Sequence, residues 1–96
     1  MTGYIIVNLE VTDPERYAEY VKAVPETVAK YGGEFLVRGG RAEKLEGDCN
    51  PKRVVVLKFE SYERAREWWA SDEYKAPKML RQSASVADII LVEGIE

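Results

Sequence analysis

The chain is 96 residues long, 46% hydrophobic and 32% charged, which suits one globular domain spanning 1–96 and leaves no length for a second core. With 14 Lys and Arg against 17 Asp and Glu, the net charge of -3 offers no cationic excess for nucleic acid, and no apolar run approaches the ~20 residues of a membrane helix, so a cytoplasmic protein is expected. A single cysteine, Cys49, excludes an internal disulfide, and the lack of any histidine removes the commonest metal ligand and the usual general base.

Residues Tyr4 to Val11 place Ile5, Val7, Leu9 and Val11 on one face and Tyr4, Ile6, Asn8 and Glu10 on the other, the alternation of a strand. Thr12-Asp13-Pro14-Glu15 then supplies a cap, a proline fit for the first helical position and a first-turn carboxylate. The helix that follows carries its apolar stripe on Tyr17, Tyr20, Val21, Val24, Val28 and Tyr31 and stops at Gly32-Gly33. Pro25 lies inside it, removing a backbone donor and crowding the Val21 carbonyl, so a kink there is expected and not an end. Glu34 to Arg38 reads as a second strand, bent or bulged at Gly39-Gly40 and resumed over Ala42 to Glu46.

The turn formers GDCNP at 47–51 lead into a strand from Arg53 to Glu60. Ser61 caps a short helix with its stripe on Tyr62, Ala65, Trp68 and Trp69, and Ser71 caps a further helical stretch through Tyr74 towards Arg81. The closing ADIILVEG is a fourth strand. This order is the split βαβ pattern of an α+β, ferredoxin-like βαββαβ fold: a four-stranded antiparallel sheet with helices on one face. The other face keeps Ile6, Val54 and Val56 (or Val55 and Leu57), and Ile90 or Leu91, more apolar surface than a small monomer shows, so a second copy, sheet against sheet, is the expected cover.

The segments YGGEFLVRGG at 31–40, LEG at 45–47, VVVLKF, Ala65 to Trp69, SDEY at 71–74, Arg81 and the final LVEG together resemble a bacterial family of roughly 95-residue domains of unknown function. The resemblance implies membership of the dimeric α/β-barrel superfamily. That group includes cofactor-free monooxygenases of the antibiotic-biosynthesis type, haem-degrading enzymes, muconolactone isomerases and regulatory ligand-binding domains, so it is an analogy about function. In some monooxygenase-like relatives a strand-one Asn and a helix-two Trp line a pocket with a further aromatic or histidine, and Asn8, Trp68 or Trp69, and Tyr74 stand at comparable places here. The haem-degrading relatives hold iron with a histidine that this sequence lacks, and no cofactor is expected.

Each candidate has a structural alternative. Asn8 either lines a pocket or bonds a neighbouring loop. Trp68 and Trp69 point about 100° apart on a helix, so one belongs to the core while the other roofs a cavity or an interface. Arg38 ends an apolar strand before two glycines, where its planar fork suits a carboxylate or enolate oxygen, unless Glu34 or Glu46 pairs with it. Arg81 has the same ambiguity with Asp72, Glu73 or Asp88, and Tyr74 is either a donor to a substrate oxygen or a packing plug. Arg53 reads as a solvated strand-edge charge, Cys49 has no activating neighbour, and no acidic cluster has metal-ligand spacing. The leading expectation is a homodimer binding a small anionic or carbonyl-bearing molecule. In it Tyr74 and Asn8 are the catalytic candidates and Arg38, Trp68, Trp69 and Arg81 hold the ligand, as in cofactor-free isomerisation or oxygenation. The alternatives are a non-catalytic ligand sensor and a purely structural dimer.

Overall fold

The computed structural model describes residues Met1–Glu96, and its elements run β1 (Gly3–Val11), α1 (Pro14–Lys30), β2 (Glu34–Arg38), β3 (Arg53–Phe59), α2 (Tyr62–Trp69), α3 (Asp72–Ala84) and β4 (Ser85–Glu93). The strands form one antiparallel sheet in the order β2-β3-β1-β4. Strand alternation then decides the layers: Ile5, Val7 and Leu9 of β1 and Val55, Leu57 and Phe59 of β3 point under the helices and are buried. They meet Tyr17, Tyr20, Val24 and Val28 of α1, Ala65 and Trp68 of α2, and Tyr74 and Ala84 of α3. The fold is the expected ferredoxin-like α+β arrangement.

All three helix starts are capped by side chains. Asp13 Oδ1 accepts from the Arg16 amide at 3.2 Å with Pro14 in the first turn, Ser61 Oγ from Arg64 at 3.0 Å, and Ser71 Oγ from Tyr74 at 3.2 Å. The last cap fixes where Tyr74 enters the core. At the end of α1, Gly33 N–H donates to the Val28 carbonyl at 2.9 Å around Gly32, closing the helix.

The chain bends at Gly39, with φ 73°, as expected, while the bulge in the ladder lies earlier, between Phe35 and Val37 at Leu36. One expectation about the β2–β3 connection is corrected. Residues 40–52 form no strand, because the alternation over Ala42 to Glu46 has no neighbouring edge to pair with and every side chain there is exposed. Pro25, as expected, leaves α1 continuous.

On the uncovered face, register lines up Val37, Val56, Ile6 and Ile90 as one apolar row across all four strands, with Ile6 37%, Val37 39% and Ile90 58% exposed. Val54, Val86 and Val92 flank that row, alongside Tyr4, Asn8, Lys58 and Asp88.

Candidate functional site

Tyrosine is a core residue with a polar end, and α1 and α3 bury three of them, Tyr17, Tyr20 and Tyr74, where aliphatic residues would pack. Their hydroxyls turn towards one another and towards arginines. Tyr20 Oη and Tyr74 Oη are 2.9 Å apart, and Arg81 Nε donates to Tyr74 Oη at 3.3 Å. Arg53 Nε donates to Tyr17 Oη at 3.0 Å, and the Tyr17 and Tyr20 rings are 5.6 Å apart. Tyr74 itself is clamped by stacking on Trp68, centroids 4.0 Å apart. Trp68 is anchored by its indole N–H to Thr27 Oγ1 at 3.0 Å, so it is the core tryptophan of the pair.

These groups, with Arg38 and Trp69, border a narrow cavity between the helices and the sheet. Its interior has about 30 Å³ free to water, room for a water or two, within ≈ 460 Å³ of empty space that reaches the surface. The wall is otherwise aliphatic and aromatic and includes three arginines but no carboxylate.

Arg81 is the unusual member. It is only 4% exposed, yet Asp72, Glu73 and Asp88 all leave it unpaired, Glu73 being bound to Lys30. Buried guanidinium groups ordinarily have an acid beside them. No fully buried side-chain N or O lacks a partner, and Arg81 bonds only through Nε, so its terminal nitrogens keep some accessible surface, and the residue is part of the cavity lining. Lys78 adds to the positive field: Nζ donates to the Trp69 carbonyl at 2.7 Å and lies 4.3 Å from that ring's centroid, and burial, then Arg81, pull its ammonium below the ordinary lysine range.

Donor counting sharpens this. Two phenolic protons serve the Tyr20–Tyr74 pair; one is used between them, and Tyr74 Oη also accepts from Arg81. One hydroxyl proton and the Arg81 terminal N–H groups therefore have no acceptor in the protein. Burial, and next the Tyr74 hydroxyl, push the Tyr20 phenol above its usual range, so Tyr20 keeps its proton.

Arg38 is exposed and pairs with neither Glu34 nor Glu46. Its Nη2 donates to the Val21 carbonyl at 2.8 Å while its guanidinium lies 4.4 Å from the Phe35 ring. Pro25 explains the first contact, since a proline four residues on cannot donate to Val21 and leaves that carbonyl open to a side chain. Arg53, read from sequence as a solvated charge, is half-buried at the cavity instead, and Gly39 makes its place: Gly39 has φ 73°, and a side chain there would collide with the guanidinium. Tyr17 and Tyr20 are wall residues that the sequence offers only as core; a helix stripe of tyrosines, each with a hydroxyl needing a partner, is the available signal.

Asn8 stands apart. Alternation puts it on the uncovered face, where Oδ1 accepts from the Lys52 amide at 3.2 Å and Nδ2 donates to Cys49 Sγ at 3.3 Å, pinning the end of the 40–52 loop. Its place in a pocket with Tyr74 is thus corrected: in one chain the sheet lies between them. Cys49 is exposed.

The fold is shared with solved proteins of low identity. A protein of unknown function from Rhodopseudomonas palustris, RPA0582, superposes with a TM-score of 0.78 at 17% identity, over 99% of this chain and 83% of that one. A dimeric ferredoxin-like protein of unknown function from Jannaschia sp. CCS1 gives 0.74 at 14% identity, over 98% and 100%. SnoaB, a cofactor-independent oxygenase from Streptomyces nogalater, gives 0.57 at 13% identity, over 99% and 94%. No curated protein matches the sequence. The sequence does match, over residues 2–95, the profile of a domain of unknown function, DUF1330, and the chain belongs to that family.

Proposed function

We propose that the protein binds a small organic anion or carbonyl-bearing molecule, acceptor end first, in the cavity of Arg81, Tyr74 and Tyr20. The observation that carries the reading is Arg81, a buried guanidinium without an acid, set in a wall whose free polar groups are all donors. A ligand oxygen bearing charge supplies the missing acceptor. Arg53 and Arg38 stand at the same cavity and favour a negative ligand on its way in.

The same arrangement suits an enolate oxygen, stabilised by donors already in place, which is the requirement of cofactor-free isomerisation or oxygenation. Tyr74 and Arg81 would act on the oxygen, and Trp69 would wall the site. A second reading, binding without turnover, has an observation in its favour: the cavity wall offers no carboxylate, the chain has no histidine, and the Tyr20 phenol holds its proton, so the usual general bases are missing from the wall. Either activity fits a homodimer closed over the apolar row of Val37, Val56, Ile6 and Ile90, an assembly supported by the dimeric Jannaschia protein of the same fold.

Titration of acetate, pyruvate, benzoate and phosphate, followed by tryptophan fluorescence and calorimetry, tests the binding. Arg81→Lys keeps a charge but loses the fork, and should weaken the best binder by about 1–3 kcal/mol with the fold retained. Unchanged affinity in that variant removes the reading. Turnover lost in Tyr74→Phe with binding kept assigns the enzyme, and binding in the wild type without turnover of any probe favours the sensor.

A further inference from the structure

A second space adjoins the first. Ile5, Trp69 and Ile89 line the inner cavity and also an outer groove, which continues along the free side of β4 past Ile90 and Leu91 to Arg66 and has about 220 Å³ free to water. The two differ in chemistry as well as size. The inner space takes a water or two and ends on the donors of Arg81 and the tyrosine pair, whereas the groove is apolar apart from Arg66 at its rim. Half-buried Trp69 divides them, with its ring 5.9 Å from that of Tyr74 and the Arg81 guanidinium 5.9 Å from its centroid.

We propose that the ligand is an anionic amphiphile: a carboxylate-sized head at Arg81 and Tyr74, and an aliphatic or aromatic body running past Trp69 into the groove against Ile89 and Leu91. This rests on the head-group reading above and adds what that reading leaves open, the selection of a carboxylic acid with an apolar body over small hydrophilic anions. The sizes argue for it. The inner space is filled by a head group alone, so a longer ligand extends beyond it; the wall shared with the groove, Ile5, Trp69 and Ile89, leads onto apolar surface, whereas the other mouth, at Tyr17, Val21 and Arg53, carries a guanidinium that suits a hydrocarbon body less well. Tryptophan suits that divider because an aromatic face packs against a hydrocarbon body and tolerates a cation beside it.

The straight-chain carboxylates from acetate to octanoate are the probe, titrated into the wild type and into Leu91→Trp, which fills the groove without touching the inner wall. In the wild type, affinity should climb with length by up to about fourfold per methylene, the ~0.8 kcal/mol gained on burying each CH₂, and level off when the groove is full. Leu91→Trp should bind acetate as the wild type does and lose the climb; Ile89→Leu, a milder change at the divider, should shift it by a few-fold. Acetate and octanoate binding alike overturns the amphiphile and leaves the head-group site standing. A climb that persists in Leu91→Trp puts the chain elsewhere, on the uncovered sheet face, and also overturns it. No binding of any member removes both readings together.

Discussion

The two faces of the sheet break opposite rules. The helix-covered face buries what is usually exposed: a guanidinium at 4% exposure without an acid, beside two phenols and a cavity. The uncovered face exposes what is usually buried, an unbroken row of Val37, Val56, Ile6 and Ile90. Swapping polarity between the faces would make a more stable monomer, since apolar groups would leave water and charge would return to it. Each face is therefore better suited to something outside the chain than to the chain alone, the first to a ligand with an oxygen to offer and the second to another apolar sheet.

The largest effect is expected on the uncovered face. Ile6 sits in the centre of the apolar row, paired with Val56 on one side and Ile90 on the other. Ile6→Lys would place one ammonium from each copy between the sheets, each costing a few kcal/mol, so association should weaken about a thousandfold while the monomer keeps its fold. Sedimentation of wild type and variant at micromolar concentration reads this directly. A wild-type monomer, or a variant that dimerises as well as its parent, breaks the comparison at this face.

Arg81→Met addresses the other face. Methionine fills much of the arginine's volume without its charge, and Tyr74 Oη keeps Tyr20 as partner. Thermal unfolding should show a gain of about 1–2 kcal/mol, with anion binding lost, the trade expected where a site holds a group that the fold alone would not choose. A loss of stability larger than ~1 kcal/mol would make Arg81 a structural residue and leave the cavity without its distinguishing feature.

What the sequence made legible follows from the range of the signals. Alternation in β1 and β3, the Asp13-Pro14 start of α1, and the caps Ser61 and Ser71 are local, and each stands where its spacing implied. That an apolar sheet face stays uncovered is strand alternation read twice, but alternation alone leaves open which set of β3 residues it carries, Val54 and Val56 or Val55 and Leu57. Partnerships between distant segments were not legible. The bulge at Leu36 depends on the β3 register, and the loop at 40–52 on the lack of a neighbouring edge. Arg38 meets Val21 because Pro25 frees that carbonyl and β2 passes beside α1; the open carbonyl could be read from the sequence, but the guanidinium that reaches it could not. Asn8 and Tyr74 look alike as polar residues in apolar segments, and only the side of the sheet on which each lies separates a loop anchor from a cavity wall.

The smallest effect sharpens the contrast between paired and unpaired charge. While Arg81 is buried alone, the carboxylate in the same helix that might have served it, Glu73, is spent at the surface, accepting from Lys30 Nζ and, at 2.8 Å, from Tyr31 Oη, and so tying α3 to the end of α1. The Lys30 bond first, and the Tyr31 bond second, hold the Glu73 carboxyl down at about 2, against its ordinary 4.5. A carboxyl lowered in the folded state stabilises above its unfolded value and loses that contribution as pH falls through the folded one. The window here is therefore pH 4.5 down to about 2. Both side chains are well exposed, so water and salt screen the pair and its contribution is small. Glu73→Gln should lower Tm slightly at pH 7, and the gap between variant and wild type should close as pH falls across that window, narrowing also with added salt at neutral pH. If instead the gap is large, or stays open at pH 2, Glu73 does more than bind Lys30: it would be shaping the field around Arg81 along the shared helix α3, and the buried cation would not be as free of acid influence as the geometry makes it.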